Sequence, residues 1–253
     1  MKGIIRMVEH DFRNFFRYKW WLVGLISMNL ADLFVSALVY NTILKPNVLI
    51  GSYFNFFAPG LAVTGLFASA FMIGREINME RRREVHHYML SLPMTRLELA
   101  VGRVLSGGLR GMMYMSPLLL TCFIFVGFPT IWQLLLILAV LFLLAVGISG
   151  LSISIAVSTS SLEKFITARG AVYYVLFFCS TVFYPLTVIQ SAGAALATLA
   201  EINPLSGASD MIRSILLPNY SFSYLSILYI AAFSAIFTFT AAFAYMRILT
   251  RNA

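Results

Sequence analysis

Apolar residues run in long unbroken blocks along this chain, and the polar residues are gathered between them. Five stretches are nearly free of charge: 20–44, interrupted only by Asp32, then 46–74, 111–162, 170–200 and 214–246. A helix needs about 20 apolar residues to cross a hydrocarbon core ~30 Å thick, because each residue rises only ~1.5 Å. The 52-residue block 111–162 is long enough for two crossings, and Gly127-Phe128-Pro129-Thr130 divides it as a turn. The pattern predicts an all-α, polytopic membrane protein. Its six transmembrane helices run over roughly 21–44, 55–74, 110–128, 132–157, 169–186 and 224–246.

The segments between the blocks carry their own patterns. Residues 1–19 predict an interfacial helix, with Lys2, Arg6, Arg13 and Arg17 on one face and Ile5, Val8, Phe12, Phe15 and Phe16 on much of the other. Trp20 and Trp21 mark the lipid boundary. This segment reads as an uncleaved anchor rather than a signal peptide, and serves either as an anchor alone or as a lever on the first span. Residues 75–108 predict two helices. The first places Glu76, Glu80 and Glu84 on one face, carries an apolar stripe of Val85, Tyr88, Met89 and Leu92, and stops at Pro93. Thr95 and Glu98 form a capping box that starts the second. An acidic face beside an apolar stripe suits the docking of another protein, which a solvated loop would not need. Residues 187–223 predict two half-length apolar helices about Asn203-Pro204, with Asp210 and Arg213 spaced to pair, in a re-entrant hairpin.

Composition and charge narrow the picture. With 60% hydrophobic and 11% charged residues, the chain is neither a soluble domain nor disordered. Cys122 and Cys179 both fall in apolar blocks, which excludes a disulfide framework. Sixteen of the 18 Lys and Arg residues sit in the N-terminal segment, the 75–110 and 163–169 connections and the C-terminus. Lys45 and Arg213 alone lie on the other side. That asymmetry puts both termini in the cytoplasm. It also reads the net charge of +8 as anchoring beside anionic lipid, with no nucleic acid as partner.

Candidate chemistry is sparse. Asp32, with Asn29 one turn earlier, falls near the bilayer middle, where a lipid-facing carboxylate costs at least ~2.5–3.5 kcal/mol. The pair lines a pathway or a subunit seam, or hydrogen-bonds inside the bundle. Tyr173 and Phe177 of the fifth span line a pathway or pack. Gly147, Ser149, Gly150, Ser152, Ser154 and Ser158 in the fourth span favour close helix packing. No GxxxxGK[ST], HExxH or GxSxG motif occurs, and the adjacent His86 and His87 point about 100° apart, so the sequence offers no catalytic, cofactor or metal residues.

Two segments carry a family likeness. Glu84 to Arg103 reads EVHHYMLSLPMTRLELAVGR, and Glu201-Ile202-Asn203-Pro204-Leu205 is followed by Arg213. In this order, within this topology, they resemble type 2 permeases of ATP-binding-cassette (ABC) transporters, the membrane subunits of drug and polysaccharide exporters. The resemblance implies a single transmembrane domain over 1–253, with a coupling helix in 75–108 and an external hairpin in 187–223. It implies docking of an ABC ATPase subunit through Glu84, Val85, Tyr88, Met89, Leu92, Pro93, Arg96 and Glu98, and a hairpin built on Glu201, Asn203, Pro204, Asp210 and Arg213. Two ATPase chains would hold ATP and Mg, and this chain, itself no enzyme, would pair with a second copy or a sibling. The expected function is export of a drug- or lipid-like amphiphile across the cytoplasmic membrane. The alternatives are a polysaccharide exporter, an ion-coupled secondary transporter and a membrane scaffold without transport.

Overall fold

The computed structural model describes residues 2–17, 53–83, 94–218 and 220–251, with isolated positions between 20 and 39. Most of the first predicted span, including Asn29 and Asp32, lies outside the described residues. So do Glu84, Val85, Tyr88, Met89, Leu92 and Pro93 of the docking segment. Among the described residues every regular element is a helix.

The order is α1 (Lys2–Arg17), α2 (Tyr53–Ala70), α3 (Met72–Arg82), α4 (Arg96–Val126), α5 (Ile131–Ser158), α6 (Leu162–Phe178), α7 (Leu186–Ala192), α8 (Ala194–Ile202), α9 (Pro204–Leu216) and α10 (Leu225–Arg251). Four stretches among the described residues are long and apolar enough to cross a membrane: 53–82, 96–126, 131–158 and 225–247. Two of the predicted spans differ in the structure. The second span runs almost without interruption into the predicted cytoplasmic helix, because nothing between Ala70 and Met72 breaks it beyond one turn at Phe71. The fifth, predicted over 169–186, is not one helix. It starts at Leu162, where Ser161 caps Lys164 N–H, and stops at Phe178 in a run of turns.

α2 is the axis of the bundle. Of its most apolar window 89% is buried, against 17% for α10, which packs on the outside of α5. A helix apolar on all sides is stable at such a centre or against lipid. α5 and α10 approach closely at Gly147 and Gly150, where a methyl group on Gly150 would lie 2.5 Å from the Phe237 carbonyl. On its other side Ser152 donates to the Phe71 carbonyl and accepts from Gly74 N–H. The small residues of α5 thus serve packing within the chain. Helix-interior prolines are accommodated as well: Pro117 cannot bond the Met113 carbonyl, and Ser116 Oγ donates to that carbonyl instead at 2.8 Å.

The turn at 127–130 is present, with Gly127 at φ 140°, and so is the capping box, in which Glu98 N–H donates to Thr95 Oγ1 and Thr95 N–H to Glu98 Oε2, each at 3.2 Å. α1 is helical as expected, and one stripe of it packs on the bundle. Gly3, Met7 and Asp11, spaced four apart, are buried against α4, and Gly102 leaves room for Met7. Ile5, Arg6 and Arg13 face outward. The face that docks is therefore neither the basic one nor the Phe-rich one, but a narrow stripe between them.

Candidate functional site

Among the described residues three arginines are fully buried, and they organise the two ends of the bundle. At the end reached by α1, α3 and α4, Arg103 Nη1 donates to Asp11 Oδ1 at 2.8 Å, and its Nη2 donates to Glu80 Oε2 at 2.5 Å. Ser106 Oγ donates to the other Asp11 oxygen. Two turns along α4, Arg110 Nη1 donates to Glu76 Oε1 and its Nη2 to the Asp11 carbonyl. Five ionisable side chains from three helices thus close into one inner clamp. Burial opposes ionisation of the Asp11 carboxyl, but Arg103, His10 and Ser106 together outweigh it and hold its pKa below the ordinary 3.8. His10, hydrogen-bonded to Asp11, is raised above 6.5.

Arg103 and Arg110, read from the sequence as anchors beside anionic lipid, are instead buried against carboxylates of their own chain. The acidic face of α3 is corrected too, since Glu76 and Glu80 hold their own chain's arginines rather than an incoming partner. Arg81 is likewise engaged, donating to the Ala156, Val157 and Thr159 carbonyls that α5 leaves open at its C-terminus. Of the predicted docking residues that are described, Arg96 is exposed, and Glu98 is half-buried with its carboxylate in the capping box. They stand at the start of α4, just before this clamp.

The opposite end is held differently. Arg213 on α9 makes the predicted pair with Asp210, Nη1 to Oδ1 at 2.7 Å. It also donates from Nε to the Phe56 carbonyl of α2, and from Nη1 and Nη2 to the Thr181 and Val182 carbonyls that follow α6. Its guanidinium lies 3.7 Å over the Phe56 ring. Asp210 further accepts from Thr181 Oγ1 and the Tyr220 hydroxyl, and burial holds that phenol protonated, its pKa well above the ordinary 10. Gly60 is required here, because a methyl group would meet the Val182 carbonyl at 2.9 Å.

Asn203 explains why the α6 helix can end inside the protein. Its Nδ2 donates to the Leu176 and Cys179 carbonyls, while its Oδ1 accepts from Leu205 N–H and caps α9, which Pro204 opens. The break at Asn203-Pro204 is as predicted, with a further break at Gly193. Glu201 is exposed at the end of α8. Tyr173 and Phe177 stack at 4.8 Å and pack inward on Phe67 and Phe183, while Tyr174 and Phe178 face outward. Sequence reasoning missed Asp11 altogether. The available signal was complementarity: Glu76 and Glu80 one turn apart, Arg103 and Arg110 two turns apart.

The two clamps are separated along the α2–α3 rod. Phe56 touches the outer one and Glu76, twenty residues on, the inner one, which at ~1.5 Å per residue is roughly 30 Å, a hydrocarbon thickness. Four helices long and apolar enough to cross a membrane, with the buried charges of the described residues gathered at the two ends of the bundle, define a multi-pass membrane protein. The ABC-2 type transporter family matches residues 3–217, and the chain belongs to that family. It is a membrane-domain subunit and not itself an ATPase, and membership implies partnership with ABC ATPase subunits in general. No curated protein matches the sequence.

Proposed function

We propose that this chain is the permease of an ABC exporter that moves a drug- or lipid-like amphiphile out across the cytoplasmic membrane. In this reading it forms a dimer, with itself or a sibling, and two ATPase chains dock at residues 84–98. Both termini face the cytoplasm, six helices cross the membrane, and α7–α9 form the external hairpin.

The inner clamp carries the reading. The helices that flank the docking segment, α3 and α4, are tied to each other by Glu80–Arg103 and Glu76–Arg110, and to α1 by Asp11. A displacement imposed on 84–93 is then delivered to three helices as one body, which a solvated loop could not do. ATP binding can tip the dimer between two packings of similar energy. Among the described residues the buried charges are mutually paired near the two ends of the bundle rather than strung along it, which disfavours an ion-coupled relay. The test is co-purification with the cognate ATPase: Tyr88→Asp with Leu92→Asp abolishes it while membrane insertion stays normal, and undiminished co-purification refutes the assignment.

A further inference from the structure

A cavity of about 340 Å³ opens between α7–α9 and the start of α10, within the size range of small-ligand sites. Its polar lining has unused capacity. Glu201, Ser221, Ser223, Ser226 and Tyr229 line it, and none of their side chains has a hydrogen-bond partner among the described residues. Asp210 and Thr181 form another wall, but there the carboxylate is already balanced by Arg213. Among the described residues Glu201 has no ion-pair partner, and no Lys or Arg lines the cavity. Leu186, Phe222 and Leu225 supply an apolar side.

These features select a ligand class. The lining has one uncompensated negative charge, so an anion is repelled. A neutral polyol would engage the hydroxyls but gain nothing from that charge. An ammonium group answers it, its N–H donors reaching Glu201 and the hydroxyl oxygens while its carbons rest on the apolar side. We propose that this cavity binds a small organic ammonium ion, with Glu201 as counter-ion and Ser223, Ser226 and Tyr229 as hydrogen-bonding partners. Resting on the exporter reading, the cavity is where amphiphilic cargo with a cationic head is held at the face opposite the docking segment.

The test uses the full chain in neutral phosphatidylcholine nanodiscs, titrated calorimetrically with phenethylammonium, with glucose and phenylacetate as comparison probes and empty nanodiscs as background. Saturable binding of one phenethylammonium per chain is expected, weakened about 10-fold by Glu201→Gln and several-fold by Ser223→Ala with Ser226→Ala. Tyr229→Phe is expected to weaken it less, and all variants should keep the parent melting temperature. Absence of saturable binding, binding unchanged by Glu201→Gln, or tighter binding of glucose or phenylacetate overturns the proposal. No ATPase is present in this experiment, so its failure leaves the docking assignment standing, and lost docking in turn leaves this result standing.

Discussion

The inner and outer clamps solve the same problem with different materials. Each buries guanidinium groups near a lipid boundary, where an unpaired charge would be prohibitive. The inner clamp sets two arginines against three carboxylates, all carried on intact helices. The outer clamp sets one arginine against one carboxylate and three backbone carbonyls, two of which are free only because α6 has ended. Charge meeting charge through flexible side chains tolerates movement of whole helices. A guanidinium fork set on fixed carbonyls holds one backbone arrangement. The inner clamp is suited to passing on displacement, and the outer one to keeping a broken segment rigid.

The sharpest way to break this contrast is to remove the forks. Arg213→Ala should cost about 5 kcal/mol, since it leaves the buried Asp210 carboxylate without its counter-charge and the Thr181 and Val182 carbonyls without their guanidinium donor, and Arg213→Lys should recover less than half, because an ammonium cannot span the same acceptors. Arg103→Ala should cost about 3 kcal/mol, and here Lys should recover most of the loss, because carboxylates accept a point charge. Thermal unfolding in one detergent ranks all four variants, and equal recovery by Lys at both sites would erase the distinction.

Smaller effects sharpen it. Asn203→Ala should cost about 2 kcal/mol by removing the α9 cap and the donor to two carbonyls, with the loss concentrated at the end of α6 in hydrogen exchange. The smallest effect is the pH dependence of α1 docking. The pKa of Asp11 is lowered, so its contribution is complete above the ordinary 3.8 and disappears as pH falls through the lowered value. The pKa of His10 is raised, so its contribution is complete below 6.5 and fades as pH rises through the raised value. Since the His10 side chain is 57% exposed, the alkaline loss should stay under about 1 kcal/mol. Amide exchange of residues 7–12 measures both limbs, and His10→Ala should remove only the alkaline one.

Much of the fold was legible in the chain because its signals are local. Twenty-residue apolar blocks can only be helices in lipid, and Gly127-Phe128-Pro129-Thr130, Thr95 with Glu98, Asn203-Pro204 and Asp210 with Arg213 all act within a few residues of each other. The end of α6 was not legible, because the carbonyls it exposes are satisfied by Asn203 and Arg213, 24 to 32 positions away. Nor was the fate of Arg103 and Arg110. Charge statistics assign a cytoplasmic arginine to water or headgroups. Only the packing of α1 on α4 brings Asp11 to Arg103 across 92 residues of sequence. The sequence by itself determined which of the described segments must be helices and where local breakers stop them, since burial of a backbone obeys local rules. The tertiary structure alone decided which charges leave water, since a buried ion is tolerable only when distant segments deliver its partners together.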